Sequence, residues 1–148
     1  MGERTGEQNG RKVGVLVVAH YRLGEEFLQA LRLILPEAEE FTAVGVRPDQ
    51  SLDEMKSQIH DALRAADQGE GVLILTDMFG GTPSNISLSF HAEHRVEVVT
   101  GMNLPMLIKL ATLREDKSLE ELASFIKDYG RRNISVASEL LPVGEESS

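Results

Sequence analysis

Two short, wholly apolar runs constrain this chain more than anything else in it. Val13-Gly14-Val15-Leu16-Val17-Val18-Ala19 and Val72-Leu73-Ile74-Leu75-Thr76 are rich in β-branched residues and show no polar alternation. A strand with one face in water alternates apolar and polar residues. A strand without that alternation is buried on both faces, as in a parallel sheet covered by helices on either side. The segments between the strands supply those helices. Phe27, Leu28, Leu31, Ile34 and Leu35 recur at helical spacing until Pro36. Leu52, Met55, Ile59, Ala62, Leu63 and Ala66 form a second stripe, opened by Ser51 with Glu54 in a capping box and closed by Gly69 and Gly71. Phe41 to Val46 and Val96 to Thr100 read as further strands. Asn103-Leu104-Pro105 starts a helix through Met106, Leu107 and Leu110. Ser118 with Glu121 caps another helix, carrying Leu122, Phe125, Ile126 and Tyr129 and ending at Gly130. Asn133 to Ala137 reads as a short, polar edge strand.

Strand–helix alternation of this kind implies an α/β fold, a mostly parallel sheet with helices on both faces, for which a doubly wound order such as 2-1-3-4 is expected. Ligands of such sheets bind at the carboxyl ends of the strands where the winding reverses, here between the first and third strands. The residues just past those strands are His20 and Asp77. A carboxylate that accepts a hydrogen bond from one imidazole nitrogen fixes the tautomer and leaves the other nitrogen as a nucleophile or base. The plain alternative is that His20 ends a strand and Asp77 begins a turn. Gly80-Gly81-Thr82-Pro83-Ser84-Asn85 follows Asp77. Its glycines permit close backbone approach, Thr82 falls at an N-cap with Pro83 as the first helical residue, and a helix N-terminus favours an anion such as phosphate. Gly101 to Pro105 lies at the same edge, where a tight turn and an Asn103 cap account for it without ligand contact.

Composition narrows the classes of function. The 148 residues contain no cysteine, which excludes disulfides, thiolate metal sites and a cysteine nucleophile. Fifteen basic against 24 acidic residues give a net charge of −9, unsuited to nucleic acid. No apolar run approaches the length of a membrane span, and the polar start lacks a signal-peptide core, so a cytoplasmic protein without membrane insertion is expected. Residues 1–11 read as a flexible leader, 12–141 as one domain and 142–148 as a flexible tail. Of the other histidines, His60 lies off its helix stripe and is expected to face solvent. His91 and His94 lack a third ligand for a metal, so no metal or cofactor is expected. Met102 and Met106 read as core filling.

Gly14 to His20, Leu75 to Asn85 and Gly101 to Met106 resemble, in order and separation, three segments of the mannose-family enzyme IIA domain of the bacterial phosphoenolpyruvate-dependent sugar phosphotransferase system. The resemblance spans about residues 13–137. It implies an antiparallel C-terminal edge strand, at about Asn133–Ala137 here, that is exchanged in a homodimer. It implies that His20 takes a phosphoryl group from the phosphocarrier HPr and passes it to an enzyme IIB, that Asp77 orients His20, and that the Thr82 hydroxyl lies near the phosphoryl group beside Gly80 and Gly81. Many members have Gly directly after the histidine, whereas this chain has Tyr21, which bears on partner choice. Without a IIB-like extension, action on separate partners is expected. The rival readings are a phosphocarrier subunit of a dihydroxyacetone kinase, a regulatory module switched by phosphorylation of His20, and a hydrolase with Thr82 or Ser84 as nucleophile.

Overall fold

The computed structural model describes residues 12–38 and 41–142. The expected leader, most of the tail, and Glu39 and Glu40 lie outside the described residues. Four strands form one parallel sheet: β1 (Gly14–His20), β2 (Thr42–Val46), β3 (Val72–Thr76) and β4 (Val96–Thr100), in the order β2-β1-β3-β4. Five α-helices alternate with them: α1 (Leu23–Ile34), α2 (Leu52–Ala66), α3 (Thr82–Ser89), α4 (Leu104–Thr112) and α5 (Leu119–Arg132).

The apolar strands behave as their composition requires. Every residue of β3 is buried, as are Leu16 to Ala19 of β1. Successive side chains go to opposite faces, so the sheet divides two cores. Leu16, Val18, Val72 and Ile74 pack with Met55, Ile59 and Leu63 of α2 and with Ile86 and Phe90 at α3. Val17, Leu73 and Leu75 pack with Leu28 and Leu31 of α1, Met106 and Leu107 of α4, and Leu122 and Ile126 of α5. Each such aliphatic side chain, fully buried, contributes about 1.5–3 kcal/mol. Met102 and Met106 belong to this second core, as expected. The capping boxes at Ser51 and Ser118 are formed, with the serine hydroxyls accepting from Glu54 N and Glu121 N. Asn103 caps α4.

Three local expectations change. Gly130 does not stop α5, which runs on to Arg132. The glycine is there because the helix crosses Met106 closely: a Cβ at Gly130 would fall 2.8 Å from Met106 Cγ. The segment expected as an edge strand, Asn133–Ala137, pairs with no strand among the described residues. Residues 134–136 run without regular structure into a 3-10 turn at Ala137–Leu140, and Ile134 and Val136 are exposed. A strand needs a neighbouring ladder for its amides and carbonyls, and the described residues of one chain offer this segment none. His60 is half-buried instead of facing water, its ring 5.4 Å from that of His94 and 5.8 Å from that of Phe90. That aromatic packing between α2 and the turn after α3 is invisible in a single helix stripe.

Candidate active site

Parallel pairing brings the carboxyl ends of β1 and β3 side by side, with Val18 opposite Thr76 and His20 opposite Val46 of β2. His20 and Asp77 therefore leave adjacent strands at the winding reversal. One carboxylate oxygen, Asp77 Oδ2, accepts both from the His20 amide at 3.0 Å and from His20 Nδ1 at 2.8 Å. A carboxylate can only accept, so the neutral ring carries its proton on Nδ1 and its lone pair on Nε2. The Asp77 side chain is 11% exposed and that of His20 44%, which leaves the far edge of the ring open to a reactant. Burial raises the Asp77 pKa, but the two hydrogen bonds from His20 and its charge outweigh that, and the carboxyl lies below its ordinary value. Asp77 is thus an anion throughout the neutral range.

The glycine loop closes on the Nε2 side. Gly80 takes a positive φ of 90°, a backbone conformation costly to residues with a Cβ. Gly81 lies against the imidazole: a Cβ built there would sit 2.9 Å from His20 Cε1 and 3.3 Å from Nε2. The N-cap of α3 is Gly81 and not Thr82, which is the first helical residue, with Pro83 second. An extended Gly81 (ψ 174°) lets the helix begin one residue earlier, and Pro83 is tolerated in the first turn because its missing N–H would have no partner there. Thr82 is consequently exposed, with no hydroxyl cap hydrogen bond, beside the free amides of the first turn.

The remaining candidates separate from this cluster. Gly101 N and Met102 N donate to Thr76 O, while the Asn103 side chain caps α4 and donates to Gly130 O, so this loop is bound up in structure. No group of three or more metal-ligating side chains occurs among the described residues. Ser84 is fully buried, which removes it as a hydrolytic nucleophile. One feature of the site was only half legible in sequence: Tyr21 has φ 52°, the only positive φ outside glycine among the described residues. Its carbonyl packs where a Cβ on Gly45 would stand, so the Gly in β2 is what admits the turn. Gly45 was the available signal.

The parallel α/β sheet thus presents a carboxylate-held histidine beside a glycine-led helix end, an arrangement chemically suited to an anionic group at one imidazole. The family model described as EIIA-man, the phosphotransferase system (PTS) fructose IIA component, matches residues 14–127. The chain belongs to this family. It is 30% identical over 130 residues to the PTS fructose-specific EIIA component of Bacillus subtilis, covering 87% of this chain and 89% of that one. It is 27% identical over 125 residues to the PTS mannose-specific EIIAB component of Escherichia coli K12, of whose length it spans 38%. Among solved structures, the mannose/sorbose-specific IIA subunit from Enterococcus faecalis superposes with a TM-score of 0.78 at 25% identity, over 85% of this chain and 95% of that one. Membership of the EIIA family gives the chain a phosphocarrier role as a phosphotransferase component of a sugar PTS. No helix among the described residues is long and apolar enough to cross a membrane.

Proposed function

We propose that residues 12–141 act as one phosphocarrier domain, in which His20 accepts a phosphoryl group from phospho-HPr and passes it to an enzyme IIB. The observation that carries this is the double hydrogen bond from His20 to Asp77 Oδ2, which turns Nε2 toward Gly81 and the start of α3. In the first step the Nε2 lone pair forms a bond to phosphorus as the bond from phosphorus to the donor breaks, its electron pair leaving with the donor. The Nδ1 proton stays in place, and the Asp77 anion stabilises the positive charge that develops on the ring. The Thr82 hydroxyl and the free amides at the start of α3, together with Gly80 and Gly81, hold the transferring oxygens. Transfer to IIB reverses these events. The catalysis is positioning and charge stabilisation, and no metal or cofactor is needed for either step.

The setting we propose is the cytoplasm, where both partners are proteins. We propose a homodimer in which the exposed arm bearing Ile134 and Val136 adds as an antiparallel strand to a free sheet edge of the partner copy, supplying the ladder that one chain lacks. Sedimentation at micromolar concentration checks this, and a monomer mass rejects it. The carrier reading is tested by incubating the chain with phosphoenolpyruvate, enzyme I and HPr. The expected product is an acid-labile, base-stable label that is lost in His20→Ala. Full labelling of that variant sinks the assignment.

A further inference from the structure

We propose that Tyr21, with Arg47 beside its ring, determines specificity for the phosphorylated protein that charges His20. The inference rests on the carrier reading above. Tyr21 immediately follows His20 and holds a left-handed backbone that L side chains avoid. The turn is fixed from both sides: the Tyr21 amide donates to Val46 O at 2.9 Å, and its carbonyl occupies the space that Gly45 leaves open. A glycine would adopt this conformation without strain. The ring does not repay that strain within the fold, since the residue is 59% exposed. The Arg47 guanidinium lies 5.9 Å from the ring centroid, just past the end of β2.

Strain kept beside a reactive group, for a side chain that faces water, points to a contact made outside the chain. In-line transfer requires the donor's phosphorus to come within about 3–3.5 Å of Nε2, so the donor's surface must cover the side chain next to His20. Met78 and Phe79, both exposed, follow Asp77 and extend the apolar area on that face. Aromatic and Arg side chains carry a large share of interface energy, and an Arg over a ring keeps its charge while losing little freedom on binding. In a chain of net charge −9, Arg47 supplies local positive charge for a partner that arrives bearing a phosphoryl dianion. This complementarity favours the phosphorylated donor over the unphosphorylated acceptor as the occupant.

The experiment is initial-rate transfer from phospho-HPr to the full chain as wild type, Tyr21→Phe, Tyr21→Asn and Tyr21→Gly, with onward transfer to a IIB protein measured in parallel. Asn and Gly both tolerate the left-handed backbone, so neither variant needs the turn to rearrange. The expected result is a KM for phospho-HPr about tenfold higher in Tyr21→Asn and Tyr21→Gly, with kcat within twofold and Tyr21→Phe close to wild type. An unchanged KM, a fall in kcat without a change in KM, or no rescue by Phe overturns the proposal. So does an effect confined to onward transfer. A wild-type chain that takes no label at His20 from phospho-HPr overturns the carrier reading instead.

Discussion

Gly81→Ala places a methyl carbon 2.9 Å from His20 Cε1 and 3.3 Å from Nε2, where carbon atoms pack best at about 3.5–4.0 Å. The loop cannot readily retreat, because Gly81 caps α3 and its carbonyl accepts from Asn85 N at 2.9 Å. The imidazole, 44% exposed, is the part free to move. Restoring contact takes a shift of roughly 0.6 Å or a ring rotation. Either one displaces Nδ1 from its 2.8 Å bond to Asp77 Oδ2 and spoils the geometry of that bond. A hydrogen bond to a charged group contributes about 1.5–3 kcal/mol, and the added methyl also crowds the approach to Nε2. At about 1.4 kcal/mol per decade, the rate of phosphoryl transfer to His20 should fall roughly 10- to 100-fold. Stability should fall by about 1–3 kcal/mol at most, because water replaces the partner lost by the exposed ring but reaches the 11%-exposed Asp77 carboxylate poorly. The assay pairs rapid-quench transfer from phospho-HPr with a thermal melt of the same preparation. Gly80→Ala is the control: nothing lies within 4 Å of its Cβ, so it should cost stability through its positive φ without touching the ring. Wild-type transfer by Gly81→Ala would refute the packing of this loop against the reactive nitrogen.

The Asp77–His20 contact also predicts a pH signature. The Asp77 pKa is lowered in the folded chain, so the unfolded chain binds the proton more readily and stability rises with pH across that range. The contribution is complete above the unfolded value of about 3.9 and is lost as pH falls through the folded value. In urea unfolding, the lead of wild type over Asp77→Asn should hold steady at pH 5 and shrink towards pH 3; a lead undiminished at pH 3 contradicts the ion pair. Far from the site, Gly14→Ala drives a methyl group into the Ala66 carbonyl, 2.9 Å from its carbon, where α2 ends against the start of β1. Backbone cannot rotate aside as a side chain can, so a loss of about 1–3 kcal/mol and a lowered Tm are expected, with transfer to His20 by the folded fraction unchanged. An unaltered melt would show that α2 does not pack there as described.

How much was legible varied with the range of the interaction involved. Elements set by local pattern were readable: the apolar runs of β1 and β3, the capping boxes at Ser51 and Ser118, and the Asn103 cap. Elements set by what happens to lie across the fold were not. Gly130 reads as a helix stop until Met106 is seen against it, and His60 reads as a surface residue until Phe90 and His94 cover it. Thr82 was displaced by one position because a glycine N-cap has no side-chain signature. The extended, exposed stretch around Ile134 and Val136 has strand-like composition, but strand formation is a property of two partners.

By itself, the sequence determined the alternation of strand and helix, hence a parallel sheet covered on both faces and, for the order 2-1-3-4 expected of it, the edge at which His20 and Asp77 emerge. These follow from hydrophobic periodicity and the handedness of crossovers, which are local or topological rules. Only the tertiary structure decided that one carboxylate oxygen takes both the amide and the ring of His20, that Gly81 rests on the Nε2 side, and that Tyr21 is held in a left-handed turn by the gap at Gly45. Those are distances of about 3 Å between residues up to 61 positions apart (His20 and Gly81), and no pattern along the chain encodes them.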